Sequence, residues 1–299
     1  MTSSWDGTTK GSLWGYRFFI RTIKIFGVSV AYGFAAFIIV YYIIFVPRSS
    51  RSIYRYFRQR HHLGRWKAVV MTYCNFYRFA QILIDKIAIP AQLAKGFTYR
   101  FDDRYDDLLR ILDSSAGCIL MGAHVGNWNI AGEFFGKYGQ RLNIVMLDAE
   151  HRRIRHLIDA TTGDRNYRVI ALRDDMSHIF EIGKALVNNE YVCFQSDRYL
   201  PGAPTLTRPL LGAPALFPAG PFQIAARSRT PVVFFFAMRE RGRRYRFCFY
   251  PAQMDTSLSK KELSESITTQ YVQVLEEILR LYPEQWFNYY EFWGENKKR

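Results

Sequence analysis

Residues 118–129 read CILMGAHVGNWN, a short apolar run that passes through Gly122 and Ala123 to His124 and then into glycine and polar residues. An apolar run of this length next to glycine reads as a buried strand, and the polar residues after it read as the opening of a helix. The same pattern recurs as LNIVML at 142–147, RVIAL at 168–172 and YVCFQ at 191–195, with helical stretches between. An amphipathic helix is predicted over 106–114, and VVMTYCNFYRFAQILIDKI has helical length and mixed apolar character. TPVVFFFAMRE and RRYRFCFYPA flank Arg241, Gly242 and Arg243 as a late β-hairpin, and an amphipathic helix follows over 260–281. Short buried strands alternating with helices predict an α/β domain, a mixed sheet flanked by helices, with active residues at the carboxyl ends of strands. His124 occupies such an end. An imidazole there suits a general base that deprotonates a hydroxyl or an amine while nearby N–H groups stabilise a developing oxyanion.

Composition narrows the partners. Of 299 residues, 49% are apolar and 17% aromatic, so a large core is available and disorder is excluded. Lys and Arg number 41 against 26 Asp and Glu, a net charge of +15 that points to an anionic partner. Nucleic acid is disfavoured because the aromatics sit largely inside the apolar runs, which leaves an anionic membrane, an acidic carrier or a phosphorylated substrate. Cys74, Cys118, Cys193 and Cys248 are scattered with no CxxC pair and read as reduced core residues.

Residues 25–46, IFGVSVAYGFAAFIIVYYIIFV, carry no charge and at about 1.5 Å per residue span roughly 30 Å, enough to cross a bilayer. The chain thus divides into 1–47, with a membrane-anchoring helix at 25–46, and an α/β domain at 48–299. The segment 48–67 is strongly basic with no acid, which predicts a cytoplasmic C-terminal side. Lys10, Arg17, Arg21 and Lys24 make the other flank basic too, so a steeply tilted or partly embedded anchor stays open.

The segment GAHVGNWNIAG, together with FQSDR at 194–198, the stretch 209–236 and YPEQWFNYYEFW at 282–293, resembles the late lipid A biosynthesis acyltransferases of the lysophospholipid acyltransferase superfamily. The resemblance implies transfer of a fatty acyl chain from an acyl carrier protein thioester to a lipid acceptor, at the cytoplasmic face of the bacterial inner membrane. It makes His124 the base and places an orienting carboxylate five residues later, where this chain has Asn129. An amide cannot balance an imidazolium charge, and in serine proteases the analogous acid-to-amide change lowers turnover by about 10⁴. Three readings stay open: Glu133, one helical turn on, supplies the carboxylate; the acceptor is an amine that needs a weaker base; or the chain is a catalytically weak or inactive membrane-anchored lipid-binding relative. Gly126, Asn127, Asp197 and Arg198 are expected at the substrate, with Arg198 on a phosphate or thioester oxygen or in a structural ion pair. The family also places a basic residue near the acceptor where Arg165 falls.

Gly212, Pro214, Phe217, Pro218 and Gly220 predict a turn-rich loop near the pocket. Arg239, Arg241, Arg243, Arg244 and Arg246 predict a basic hairpin, either a dock for anionic lipid or acidic carrier protein or a solvated face. No metal motif and no nucleotide-binding motif is present: His151 and His156 are five apart, not the i,i+4 of zinc ligands. No metal and no cofactor are therefore expected.

Overall fold

The chain is described from a computed structural model over residues 13–89, 93, 96–113, 117–130, 134–135, 141–147, 167–173 and 175–293, with side chains from residue 18 onward. Its centre is a seven-stranded sheet in the order β1-β9-β8-β2-β5-β3-β4. The strands are β1 (Thr98–Phe101), β2 (Cys118–Gly122), β3 (Leu142–Leu147), β4 (Tyr167–Leu172), β5 (Tyr191–Gln195), β8 (Val232–Arg239) and β9 (Arg244–Pro251). β8, β2, β5, β3 and β4 run parallel, while β9 is antiparallel to β8 and carries β1 beside it, so the sheet is mixed as expected. All five residues of β2 and all eight of β8 are buried, which is what continuous apolar runs produce in a sheet covered on both faces.

The chain leaves β2 toward β3 on one side and leaves β5 toward β8 on the other. β2 and β5 are neighbours, so their carboxyl ends form the crevice at a topological switch point. On one face of the sheet pack α7 (Ala219–Ser228) and α8 (Lys260–Leu281), with Phe222, Ile267, Tyr271 and Leu275 fully enclosed. α8 begins in a capping box: the Ser259 side chain accepts from Glu262 N–H while the Glu262 carboxylate accepts from Ser259 N–H. Such a cap stabilises a helix by about 1 kcal/mol. The other face buries Leu108 and Leu112 of α5 (Tyr105–Asp113) among Phe235, Phe247 and Phe249. α6 (Ser177–Val187) packs on β4 and β5.

The N-terminal helices form a third layer. The uncharged run is not one helix. α1 (Leu13–Phe26) ends at Gly27, whose φ of 81° lies in the left-handed region, and α2 (Val28–Phe45) starts beyond it. The helix expected over 25–46 therefore has eighteen residues, about 27 Å at the helical rise. Among the described residues it is the one helix long and apolar enough to cross a membrane. Val28, Ala31, Tyr32 and Ala35 pack on Ile84 and Ala88 of α4 (Arg65–Ala88), whereas Phe37, Ile44 and Phe45 point outward. α3 (Pro47–Arg55) and a π-helical turn at Tyr56–Arg60 join α2 to α4.

Two expectations are corrected. The turn-rich loop at 212–220 is instead a strand, β7 (Ala213–Pro218), paired antiparallel with β6 (Thr205–Leu210). Leu211 (φ 49°) and Gly212 (φ 76°) form its two-residue turn, and the α7 helix begins at once after Pro218. A lone two-stranded ribbon has no second neighbour, so Pro209 and Pro214 interrupt no ladder there. The basic hairpin exists at β8–β9, yet Arg239 is 2% exposed and belongs to the core, leaving Arg241 and Arg246 exposed.

Candidate active site

Strand register brings the site together. Gly122 of β2 lies opposite Gln195 of β5, so His124 and Asp197, each two residues further on, leave adjacent strand ends side by side. His124 Nδ1 is 2.7 Å from Asp197 Oδ1, and the His124 backbone N–H donates to Asp197 Oδ2 at 3.1 Å. The indole N–H of Trp286 donates to the same oxygen at 3.2 Å. Burial alone would push the Asp197 carboxyl up. The charge carried by a protonated His124, the hydrogen bond to the ring, Arg198 and the Trp286 N–H outweigh it and hold the carboxyl down at about 2.

The buried carboxylate fixes the tautomer of the neutral ring. An ionised carboxylate only accepts, so Nδ1 carries the hydrogen and Nε2 keeps its lone pair for a substrate proton. The ring is 12% exposed and Asp197 only 1%, so one end of the pair opens to the cavity while the other stays dry. Trp128 packs edge-on to the imidazole with ring centroids 5.1 Å apart.

The loop that carries His124 is stitched to the C-terminal segment. Val125 bridges Trp286, Phe287 N–H donates to His124 C=O at 2.9 Å, and Gly126 N–H donates to Gln285 C=O at 2.9 Å. Gly126 has φ 60°, and a Cβ there would sit 2.3 Å from the Ala237 carbonyl oxygen, so no other residue fits. Asn127 is buried, with its N–H on Ala237 C=O at 2.8 Å and its amide donating to Tyr245 Oη at 3.2 Å. Gly126 and Asn127, expected at the substrate, are thus occupied in holding the loop to β8 and β9. The Tyr271 hydroxyl of α8 adds a hydrogen bond to Gly122 C=O at 2.9 Å.

His124 opens onto a cavity of about 110 Å³ at the carboxyl ends of β3, β4 and β5. Ile144, Val145, Met146, Leu147, Val169 and Leu172 supply apolar walls, and Asn129, Lys86 and Arg198 the polar contacts. Arg198 reaches back to donate to Phe287 C=O at 2.9 Å. Asn129 lines this groove, and the ring nitrogen facing the core is taken by Asp197. Glu133 and Arg165 lie outside the described residues. Cys193 also lines the cavity, but burial pushes its thiol up to about 12, so no thiolate nucleophile forms there near neutrality.

Sequence reasoning missed Asp197 as the partner of the ring, and missed Trp286, Tyr271 and Lys86. For Asp197 the signal was present: FQSDR follows a strand, as GAH does, and two parallel neighbours place equivalent positions together. Trp286 had no such signal, since a β-bridge between distant segments is invisible locally.

Residues 65–293 match the family described as bacterial lipid A biosynthesis acyltransferase, which covers the whole sheet and the site. The chain belongs to that family and is an acyltransferase. No curated protein matches it significantly.

Proposed function

We propose that this acyltransferase moves a fatty acyl chain from an acyl carrier protein thioester to a lipid acceptor at the cytoplasmic face of the bacterial inner membrane. The acceptor class is a lipid A precursor-like glycolipid or an amine-bearing lipid. The observation that carries the reading is the 2.7 Å pair of His124 and Asp197 at the mouth of an apolar groove. An acyl chain must be kept from water while its thioester meets the base, and the β3 and β4 side chains supply that lining.

Nε2 of His124 takes the proton as the acceptor oxygen or nitrogen attacks the thioester carbonyl carbon. The tetrahedral intermediate then expels the thiolate, which recovers the proton from Nε2. Asp197 stays ionised throughout, fixing the ring and stabilising the imidazolium. Because a carboxylate already holds the ring, the amide at Asn129 does not by itself remove catalysis. The exposed apolar surface of α2, with Phe37 81% exposed, supports membrane association, and the basic residues of 48–67 favour the cytoplasmic side.

Purified full-length protein given acyl carrier thioester and hydroxyl or amine lipid acceptors should form acylated product, and His124→Ala should abolish it. Product formation unchanged by His124→Ala on both acceptor types would overturn the reading.

A further inference from the structure

Beside the N-terminal end of α2, away from the apolar groove, a second cavity of about 330 Å³ opens between α2, α4 and the β8–β9 turn. It is lined by Ser29 and Tyr32 of α2, Arg78 and Gln81 of α4, and Arg239, Arg241, Gly242 and Arg243. Four of its lining residues are arginines and none is acidic.

Arg239 is buried and ion-paired, whereas Arg78, Arg241 and Arg243 are at least partly exposed. Arg239 Nε donates to Asp85 Oδ2 at 3.0 Å, and Nη1 reaches the Glu240 carbonyl at 3.5 Å. Its Nη2 is buried and makes no hydrogen bond with the described residues. Since the residue is 2% exposed, water does not readily replace the missing acceptor there. A ligand oxygen in the cavity would supply the acceptor. The Tyr32 ring packs under the guanidinium, 5.0 Å from its carbon, and fixes its plane. Arg78 is 3.8 Å from Glu284 and donates to Gln81 at 3.1 Å, while Arg243 donates to Ser29 Oγ at 2.9 Å. Arg241 stands exposed at the rim.

We infer that this cavity is a phosphate-binding site that takes the headgroup of an anionic lipid. Planar guanidinium forks match phosphate oxygens in pairs, and several lining one cavity suit the multiple oxygens of a phosphate. The lipid source follows from the neighbourhood. Val30 and Phe34 of α2, which lines the cavity, are 41% and 44% exposed, and Ile25 and Phe26 of the preceding α1 are 70% and 64% exposed, so acyl chains attached to the phosphate have an apolar surface to lie on. This inference concerns binding and is independent of the acyl-transfer reading.

Full-length protein in neutral detergent is titrated with short-chain phosphatidic acid, phosphatidylcholine of the same chain length, and inorganic phosphate, with thermal unfolding as the readout. Phosphatidic acid should raise the midpoint saturably at concentrations at least tenfold below those needed for either of the others. Arg241→Glu and, separately, Arg78→Gln should weaken that effect about tenfold, while Arg227→Glu, an exposed charge outside the cavity, should leave it unchanged. Equal potency of inorganic phosphate and phosphatidic acid would overturn the lipid source. The site itself would be overturned if no phosphate compound stabilises the protein or if Arg227→Glu weakens binding as much as the cavity variants. Loss of stabilisation in both cavity variants, each still melting cooperatively, sustains it.

Discussion

Asp197 and Asp85 are both nearly inaccessible carboxylates, and each holds a nitrogenous cation or potential cation at hydrogen-bond distance, but they are built for opposite purposes. Around Asp85 stand the Tyr32 and Tyr245 hydroxyls and the Arg239 guanidinium, none of which changes protonation near neutrality. Burial pushes the Asp85 carboxyl up, and the Arg239 charge with those hydrogen bonds recovers only part of the shift. Around Asp197 the dominant partner is a histidine, and there the attraction wins over burial. A permanent ion pair locks α2, α4, β8 and β9 together, while a carboxylate matched to a titratable ring supports proton transfer. Buried charge alone therefore does not mark an active site; the identity of the partner does.

Removing each carboxylate should separate the two roles. The largest effect is expected for Asp197→Asn, which leaves the volume and loses the charge and the tautomer control: turnover should fall by about 10³–10⁴. Thermal unfolding of the same variant shows whether the loss is chemical, and a collapse of the fold with unchanged turnover per folded molecule would reverse the assignment.

Asp85→Ala should act the other way round. Stranding the Arg239 charge in the core should cost about 3–5 kcal/mol of stability, read as a lower denaturation midpoint, with turnover per folded molecule reduced far less than by Asp197→Asn. A stability change within about 0.5 kcal/mol, the range of ordinary surface substitutions, would show that the pair is not structural.

Acid sharpens the contrast. The folded-state carboxyl of Asp197 lies at about 2, below its ordinary value of 3.8, so its contribution is fully present above the ordinary value and is lost as pH falls through the folded one. Wild type should exceed Asp197→Asn in stability by an amount that shrinks by about 2 kcal/mol between pH ~5 and pH ~2. A gap constant over that range would mean that Asp197 titrates alike in the folded and unfolded chain.

The smallest effect belongs to Asn129→Glu. Since Asp197 already occupies the inner ring nitrogen, a second acid beside the groove should change turnover less than about fivefold, equivalent to about 1 kcal/mol. A gain of a hundredfold in steady-state turnover would show instead that the ring lacks a carboxylate partner.

Much of this was readable from the chain itself. The strands at 142–147 and 191–195 and the helix at 260–281 appear with the expected bounds, because short apolar runs and amphipathic periodicity are local signals. β1 escaped notice because it is a four-residue edge strand exposed throughout, with no buried face to pattern it. β7 was hidden by its prolines. In the site, His124 was legible as a strand-end residue, but its partner was sought five residues along the chain when strand pairing supplies it 73 residues away. Likewise Arg239 looked like one more surface charge of a basic hairpin, since nothing in RERGRR tells which arginine meets a buried aspartate.

The most direct measurement is a double-mutant cycle on acyl transfer, with His124→Ala, Asp197→Asn and the two combined, read as turnover of acyl carrier thioester in the presence of lipid acceptor. If the two residues act as one unit, either single change removes nearly all the activity and the double variant is no slower than His124→Ala alone. Losses that multiply, with Asp197→Asn slowing an enzyme already lacking His124 by as much as it slows the wild type, would contradict the dyad.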